Sequence, residues 1–380
     1  MAGQPVILMY WAGGLEHAGG IGRMAGNLLR ARREAGRGER VLCLDTRGPH
    51  SILLSPSYLA AALARTALIR LAGRRAMAHV HMADAGSTIR KVIVCRTLAL
   101  LGIPYLLHLH PGNYDTYFRG LSARRKRLVR GTFTAASTVV VLGRCWQRLA
   151  VEEIGVAPGR VRVIANGAPD PGLPAAIPTA EVPRILFLGE FQRWKGIAEL
   201  IAALGRVADR PWHLICAGRG DWGEYSAAAT AVGLQGRVEF LGWVDRARAA
   251  ALLREASIVA VPSHIEGCSV TLIEALANGI AVVATPVGAH PDILRHGENA
   301  MLVPPHDVPA LANALAVLLD EPARRATIAR AGRATFEANL DIKEIEKRFS
   351  GVYTEIFATL PSVQSARVGL APVSRHESIP

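Results

Sequence analysis

Eleven short apolar runs recur along the chain, separated by longer stretches whose apolar residues repeat with helical spacing. "VILMYW", "ERVLCLD", "AHVHMA", "PYLLHLH", "STVVVLG" and "VRVIANG" occupy the first half, and "RILFLGE", "WHLICAG", "RVEFLGW", "ASIVAVPS" and "IAVVATPVG" the second. Continuous apolar runs, unlike alternating ones, suit strands buried on both faces, and strands that alternate with helices pair in parallel. The pattern predicts an α/β chain with two Rossmann-like domains. Between the two series lies "NGAPDPGLPAAIPTAEVPR" (166–184), whose five prolines break any regular element. The expected organisation is a first domain over 1–175, a second over 176–341, a helix over 342–360 that packs back on the first domain, and a disordered tail over 361–380.

Composition adds to this picture mainly through charge. A length of 380 residues, half of them hydrophobic, supports two cores. The net charge of +13 is unevenly spread: residues 1–170 hold 24 Lys+Arg against 9 Asp+Glu, whereas 171–380 hold 20 against 22. "RGLSARRKRLVRG" (119–131) concentrates six cations, and "RTALIRLAGRR" (65–75) interleaves cations with Leu and Ile. Such runs suit either anionic lipid headgroups or a plain solvated face. Nucleic acid is not an expected partner, because no aromatic residue interleaves the basic runs as a stacking platform would require. The apolar start is short and lacks a basic leader, and no run reaches the roughly 18 apolar residues of a membrane span. The expected location is the cytoplasm, with peripheral contact on the inner face of the plasma membrane as a possibility the basic half raises. Cys43, Cys95, Cys145, Cys216 and Cys268 lack paired spacing and read as reduced core thiols.

The richest stretch chemically is "EGCSVTLIEALANGIAVV" (266–283). In an open α/β sheet, ligands bind beyond the carboxyl ends of strands, at helix N-termini. Ser269 is placed to cap a helix, leaving main-chain NH groups near Cys268, Ser269, Val270 and Thr271 to meet an anion with no metal required. Glu274 lies roughly 7 to 8 Å along that helix, about the distance from a diphosphate to its ribose. Glu266 precedes the helix, on the side where a transferable sugar would lie. Spacing alone leaves a plainer alternative, in which Glu266 caps the helix or is solvated and Glu274 pairs with a surface cation.

"EGCSVTLIEALANGIAVVATPVGAHPDIL" resembles the E-x(7)-E donor-site motif of retaining glycosyltransferase family 4, the group 1 glycosyl transferases of the GT-B fold. "GGIGR", "HLHPGNYDTYF", "VVVLGRCW", "VIANGAPD", "ILFLGEFQRWKG" and "VEFLGWV" follow in the order and at about the spacing of that family. The resemblance implies two facing Rossmann-like domains with an interdomain cleft, a nucleotide-sugar donor linked to uridine or guanosine diphosphate, retained anomeric configuration and no required cofactor or metal. Carried over, it implies that Glu266 meets the donor sugar, Glu274 the ribose, and Gly267, Cys268, Ser269, Val270 and Thr271 the sugar and diphosphate. Lys195 would neutralise the leaving diphosphate, as a fixed cation in a dry cleft can. Gly19 and Gly20 would approach the diphosphate across the cleft, where a side chain would obstruct. Arg23 would lie near phosphate or acceptor, and His110, at a strand end, near the donor sugar. His108 reads as a core histidine, Trp146 as packing, and Asn166 and Gly167 as a structural interdomain turn.

One position departs from the family pattern: Glu190 in "LGEFQRWKG" stands where the family usually has an arginine on the diphosphate, and Arg193 is the candidate replacement. Two competing functions follow from particular residues. Gly20, Gly22 and Gly26 give a glycine spacing that a nicotinamide-dependent oxidoreductase would use, although Asp45 comes late for its ribose partner. Glu190 would suit a catalytically silent nucleotide-sugar-binding subunit. The acceptor expected from the basic first domain is a glycan or lipid-linked molecule of cell-envelope or exopolysaccharide assembly.

Overall fold

Each of the eleven apolar runs forms a strand in the computed structural model, which describes residues 4–13, 20–48, 52–172 and 182–361. The first sheet comprises β1 (Val6–Trp11), β2 (Arg40–Asp45), β3 (Ala76–Met82), β4 (Tyr105–Leu109), β5 (Thr138–Val141) and β6 (Val161–Val163), in the order β2-β1-β3-β4-β5-β6. The second comprises β7 (Arg184–Leu188), β8 (His213–Ala217), β9 (Val238–Gly242), β10 (Ile258–Val261), β11 (Ala281–Ala284) and β12 (Met301–Leu302), in the order β12-β11-β10-β7-β8-β9. All pairings are parallel. This is the expected GT-B arrangement of two α/β domains. Strand β12 was not foreseen, since two residues carry no periodicity.

Helices cover both faces, so every residue of β1, β3, β4, β5, β10 and β11 is buried. Strand order reverses between β1 and β3 in one sheet and between β7 and β10 in the other. Such switch points open a crevice at the carboxyl ends of the strands. Both are used below.

The helix Ile342–Ala358 places Ile342, Ile345, Phe349, Val352 and Ile356 on one stripe at alternating intervals of three and four residues. That stripe packs against Ile7, Met9, Met24, Met77 and Leu106, returning the chain to the first domain. Within the seam Glu346 is buried and accepts from Arg32 (3.0 Å) and Arg37 (2.7 Å). Burial alone would push this carboxyl up, but hydrogen bonds from Arg37 and Ser350 and the Arg32 charge outweigh it and hold it below the usual range. A depressed folded value means stability that is present above the ordinary glutamate value of about 4.3 and lost as pH falls through the folded one. Glu346→Ala should cost about 3 kcal/mol, by leaving the buried Arg32 guanidinium with Glu39 (3.0 Å) as its remaining carboxylate among the described residues, and should flatten the acid limb of the stability profile in denaturant titrations.

The five cysteines are free thiols, but Cys43 is exposed on β2, at the sheet edge, and not in a core. The domain boundary near 175 and the tail from 362 lie outside the described residues. Among the described residues no helix is long and apolar enough to cross a membrane.

Candidate active site

Loops at the carboxyl ends of the two sheets enclose a cavity of about 840 Å³. The first domain contributes Gly20 and Arg23 after β1, Asp84 after β3, His110 to Asn113 after β4, Leu142 after β5 and Asn166 after β6. The second supplies Gly189, Glu190 and Lys195 after β7, Arg219 after β8, Trp243 and Arg246 after β9, and the loop from Ser263 to Ser269 after β10. The lining carries four cations (Arg23, Lys195, Arg219, Arg246) and four carboxylates (Asp84, Glu190, Asp245, Glu266), so selectivity must come from local placement and not from a uniform field.

The β10 loop runs into the helix Val270–Ala277, which Ser269 caps, its Oγ accepting from the Leu272 NH at 3.3 Å. First-turn NH groups of a helix have no intrahelical acceptor and favour an anion. Gly267, Cys268, Ser269, Val270 and Thr271 all line the cavity, and the Thr271 hydroxyl is committed to the Leu188 carbonyl at 2.9 Å. Residues of the first domain hold this loop by its carbonyls: Trp146 Nε1 donates to Gly267 O (3.3 Å) and Asn166 Nδ2 to Cys268 O (2.8 Å). A Cβ on Gly267 would stand 1.9 Å from Pro111 O, so only glycine allows the domains to meet here. Trp146 and Asn166, read from sequence as structural, thus do their packing across the domain boundary.

Lys195 Nζ donates to Glu266 Oε1 at 2.6 Å, and Ser263 Oγ donates to the same oxygen at 2.9 Å. The lysine is brought there by a 3₁₀ turn, Arg193–Lys195, that ends at Gly196 with φ +73°. A Cβ on Gly196 would lie 2.0 Å from the Pro262 carbonyl, so the turn is pressed against the strand β10 exit. Gly196→Ala should therefore cost about 2–4 kcal/mol, combining left-handed strain with overpacking, and a denaturation midpoint unchanged from wild type would refute this account of the turn.

Arg193 needs correcting. It does not line the cavity; it is 88% exposed and lies 3.5 Å from Glu224. In a single 3₁₀ turn adjacent side chains diverge, so Lys195 facing inwards directs Arg193 out. Arg219 is the cation the sequence reading missed. It lines the cavity beyond β8, over the Trp243 ring at 5.6 Å, and its carbonyl accepts from the Phe191 NH at 2.7 Å, next to Glu190. Applying the strand-end rule to β8 and β9 as well as β7 would have found both Arg219 and Arg246.

Arg23 and Glu274 also sit differently from expectation. Arg23 Nη1 donates to both carboxylate oxygens of Glu274, at 2.9 and 3.2 Å, bridging the domains. Glu274 is screened from the cavity lining behind this arginine. Burial pushes the Glu274 carboxyl up, opposed by Arg23 and Arg246. The ion pair thus occupies the carboxylate that the family resemblance assigns to a ribose, as the plainer reading of Glu274 paired with a cation expects.

His110 is buried at the end of β4 and lines the cavity. Its Nε2 lies 2.8 Å from His81 Nδ1, in a stack that continues through His108 and His79 to the Tyr353 hydroxyl. Burial lowers the His110 pKa to about 3, so the ring is neutral and acts through hydrogen bonding. His108 is a core residue, as expected. Gly20 opens the helix Gly20–Glu34 at the cavity wall, and Gly19 lies outside the described residues.

Residues 182–321 match the family described as glycosyl transferases group 1, and residues 13–167 match the glycosyl transferase 4-like domain. The phosphatidyl-myo-inositol mannosyltransferase of Mycobacterium leprae is 34% identical over 59% of this chain and 60% of its own length. The enzyme of the same name from Mycolicibacterium smegmatis is 38% identical over 39% of each chain, so the matched regions span 60% and 39% of these two relatives. Sucrose-phosphate synthase from Thermosynechococcus elongatus shares the fold with a TM-score of 0.77 at 23% identity, covering 94% of this chain and all of that one. Anabaena Alr3699/HepE, solved in complex with UDP, has a TM-score of 0.74 at 21% identity over 93% of this chain and 100% of its own.

Proposed function

We propose that this chain, which belongs to the group 1 glycosyl transferases, moves a sugar from a uridine- or guanosine-diphosphate donor to a glycan or lipid-linked acceptor with retained anomeric configuration. The observation that carries this reading is the pairing of Lys195 with Glu266 at the mouth of a capped helix. A cation, a ring of main-chain NH groups and a hydrogen-bonding carboxylate there match the three parts of a sugar diphosphate: leaving phosphate, bridging phosphate and sugar hydroxyls.

In this reading the donor diphosphate displaces Lys195 from Glu266 and takes its charge, while Glu266 turns to the sugar hydroxyls. Charge grows on the phosphate as the anomeric C–O bond breaks, and a preorganised lysine and helix N-terminus stabilise it without needing a resident metal. The acceptor oxygen bonds to the anomeric carbon on the face the phosphate leaves, and its proton passes to the departing phosphate oxygen. That keeps the configuration without a second catalytic carboxylate. Arg219 supplies the further cation that Glu190 does not.

A lipid-linked acceptor, of the kind used in cell-envelope or exopolysaccharide assembly, is supported by the first domain's surface. Leu68 and Leu71 on the helix Ser55–Leu71, and Ile89, Ile93 and Leu100 on the helix Ala85–Leu100, are exposed. The helices are joined by Arg70 Nε donating to Leu101 O, and Arg74 and Arg96 lie nearby in sequence. Exposed aliphatics among arginines suit an anionic bilayer surface. The similarity to phosphatidyl-myo-inositol mannosyltransferases supports the same class of acceptor.

The test is to incubate the full chain with labelled UDP- and GDP-sugars and a cell-envelope lipid extract. Label entering the organic phase with one donor, together with release of its nucleoside diphosphate, is expected. Donor binding with neither turnover nor hydrolysis would instead favour a silent nucleotide-sugar-binding subunit.

A further inference from the structure

Three side chains that the transfer reading leaves unused meet beside the loops of Lys195 and Glu266. Glu199 lies in the first turn of the helix Ile197–Arg206, which starts directly after Gly196. His264 stands between Ser263 and Glu266, and its NH donates to the Trp194 carbonyl at 2.7 Å. His306 comes from the turn that leads into the helix Val308–Asp320. Glu199 Oε1 is 3.0 Å from His264 Nε2 and 3.4 Å from His306 Nδ1, and the three ligand atoms lie within 4.8 Å of one another.

Three independent features make this more than a surface ion pair. First, Glu199 Oε2 is buried and has no hydrogen-bond partner among the described residues, while His264 Nε2 faces the other carboxylate oxygen at 3.0 Å. Leaving such a carboxylate oxygen unsatisfied costs about 1–3 kcal/mol. Second, His306 has φ +64°, and only it and Ala85 are non-glycine residues with positive φ among those described. A histidine held in the left-handed region is strained, and the conformation brings its Nδ1 to the carboxylate. Third, ligands at 2.0–2.1 Å on a tetrahedral centre are about 3.3 Å apart, close to the 3.0 and 3.4 Å that separate Glu199 Oε1 from the two imidazole nitrogens.

We propose that Glu199, His264 and His306 form a binding site for a divalent cation of the zinc class, with two imidazole nitrogens and one carboxylate oxygen as protein ligands. Imidazole-rich sets favour zinc, cobalt or nickel over magnesium or calcium. The two rings, with centroids 3.6 Å apart, fan outwards as the ion enters, and the 66% exposed His306 is free to do so and leaves a position for water. The ion takes no part in sugar transfer. It ties the start of the helix behind Lys195 to the loop carrying Glu266, and so braces the two groups that meet the donor. The site depends on no assumption about which donor the cavity takes.

The experiment uses the full chain without a polyhistidine tag, stripped with a chelator and dialysed. Zn²⁺ is titrated calorimetrically and Co²⁺ by visible absorption, for wild type, His306→Gly and Glu199→Gln. Glycine accepts the φ of position 306, so that variant keeps its fold, which metal-free thermal denaturation verifies. Saturable binding of one ion per chain is expected, with the visible bands of a four-coordinate Co²⁺ centre, and with affinity falling about 100-fold or more in each variant. Absence of saturable binding, or binding undiminished in both variants, would overturn the site and leave a simple histidine–glutamate pair. Because no nucleotide is present, neither outcome bears on the transfer reading.

Discussion

Lys195→Ala lowers kcat/KM for sugar transfer by about 100- to 1,000-fold, the range seen when one preorganised group that stabilises a developing anion is removed. The effect falls mostly on kcat, because the charge Lys195 meets is greatest as the phosphate leaves. Without the ammonium, Glu266 keeps the Ser263 hydroxyl as its hydrogen-bond partner among the described residues, and in the proposed complex its charge would face the diphosphate directly. Glu266→Ala loses the sugar contacts and leaves Lys195 overcommitted to phosphate, so it too loses turnover, but it retains nucleoside diphosphate binding. Both variants melt close to wild type, since the pair lies at the cavity wall and not in a core. Full turnover in either variant, measured as nucleoside diphosphate release under saturating donor, would remove the catalytic assignment.

Glu274→Ala weakens nucleoside diphosphate binding by about 10- to 100-fold, the worth of hydrogen bonds to a charged group. The structure adds a condition that spacing could not supply. Arg23 holds both oxygens of Glu274 across the domain boundary, so in the proposed donor complex a ribose would have to displace a guanidinium to use the carboxylate. Binding and separation of this interdomain pair are thereby linked: a ligand that takes Glu274 frees Arg23 to face the cavity it already lines. Arg23→Ala should therefore alter affinity far less than Glu274→Ala does, because it removes a competitor together with a cation. Equal losses in the two variants, read by calorimetry, would mean the pair acts as one structural unit and not as a switchable contact.

The sheets were legible because buried parallel strands leave continuous apolar runs, and eleven of the twelve strands among the described residues do so. The two-residue β12 could not be, since it is held by its neighbour and not by its own pattern. The loop from Glu266 to Thr271 was legible from its spacing and family likeness, and the structure places it at the cavity wall with Ser269 as cap. What sequence could not give was direction within a turn. Arg193 and Lys195 are two residues apart in one 3₁₀ turn, and the fold turns Lys195 to Glu266 and Arg193 to Glu224. Nor could spacing show that Glu274 and Arg23, 251 positions apart, would find each other. Nor could the runs show that parallel pairing of His81 with His108 brings His79, His81, His108 and His110 into one stack ending at the cavity.

The measurement that bears most directly on the central claim is a calorimetric titration of the full chain with UDP, GDP, dTDP and ADP, free and sugar-linked, repeated on Glu274→Ala. The account predicts saturable binding of one base in preference to the others, weakened at least about tenfold by the substitution. No binding by any of them, or equal binding by wild type and variant, would contradict a nucleotide-sugar site between these domains.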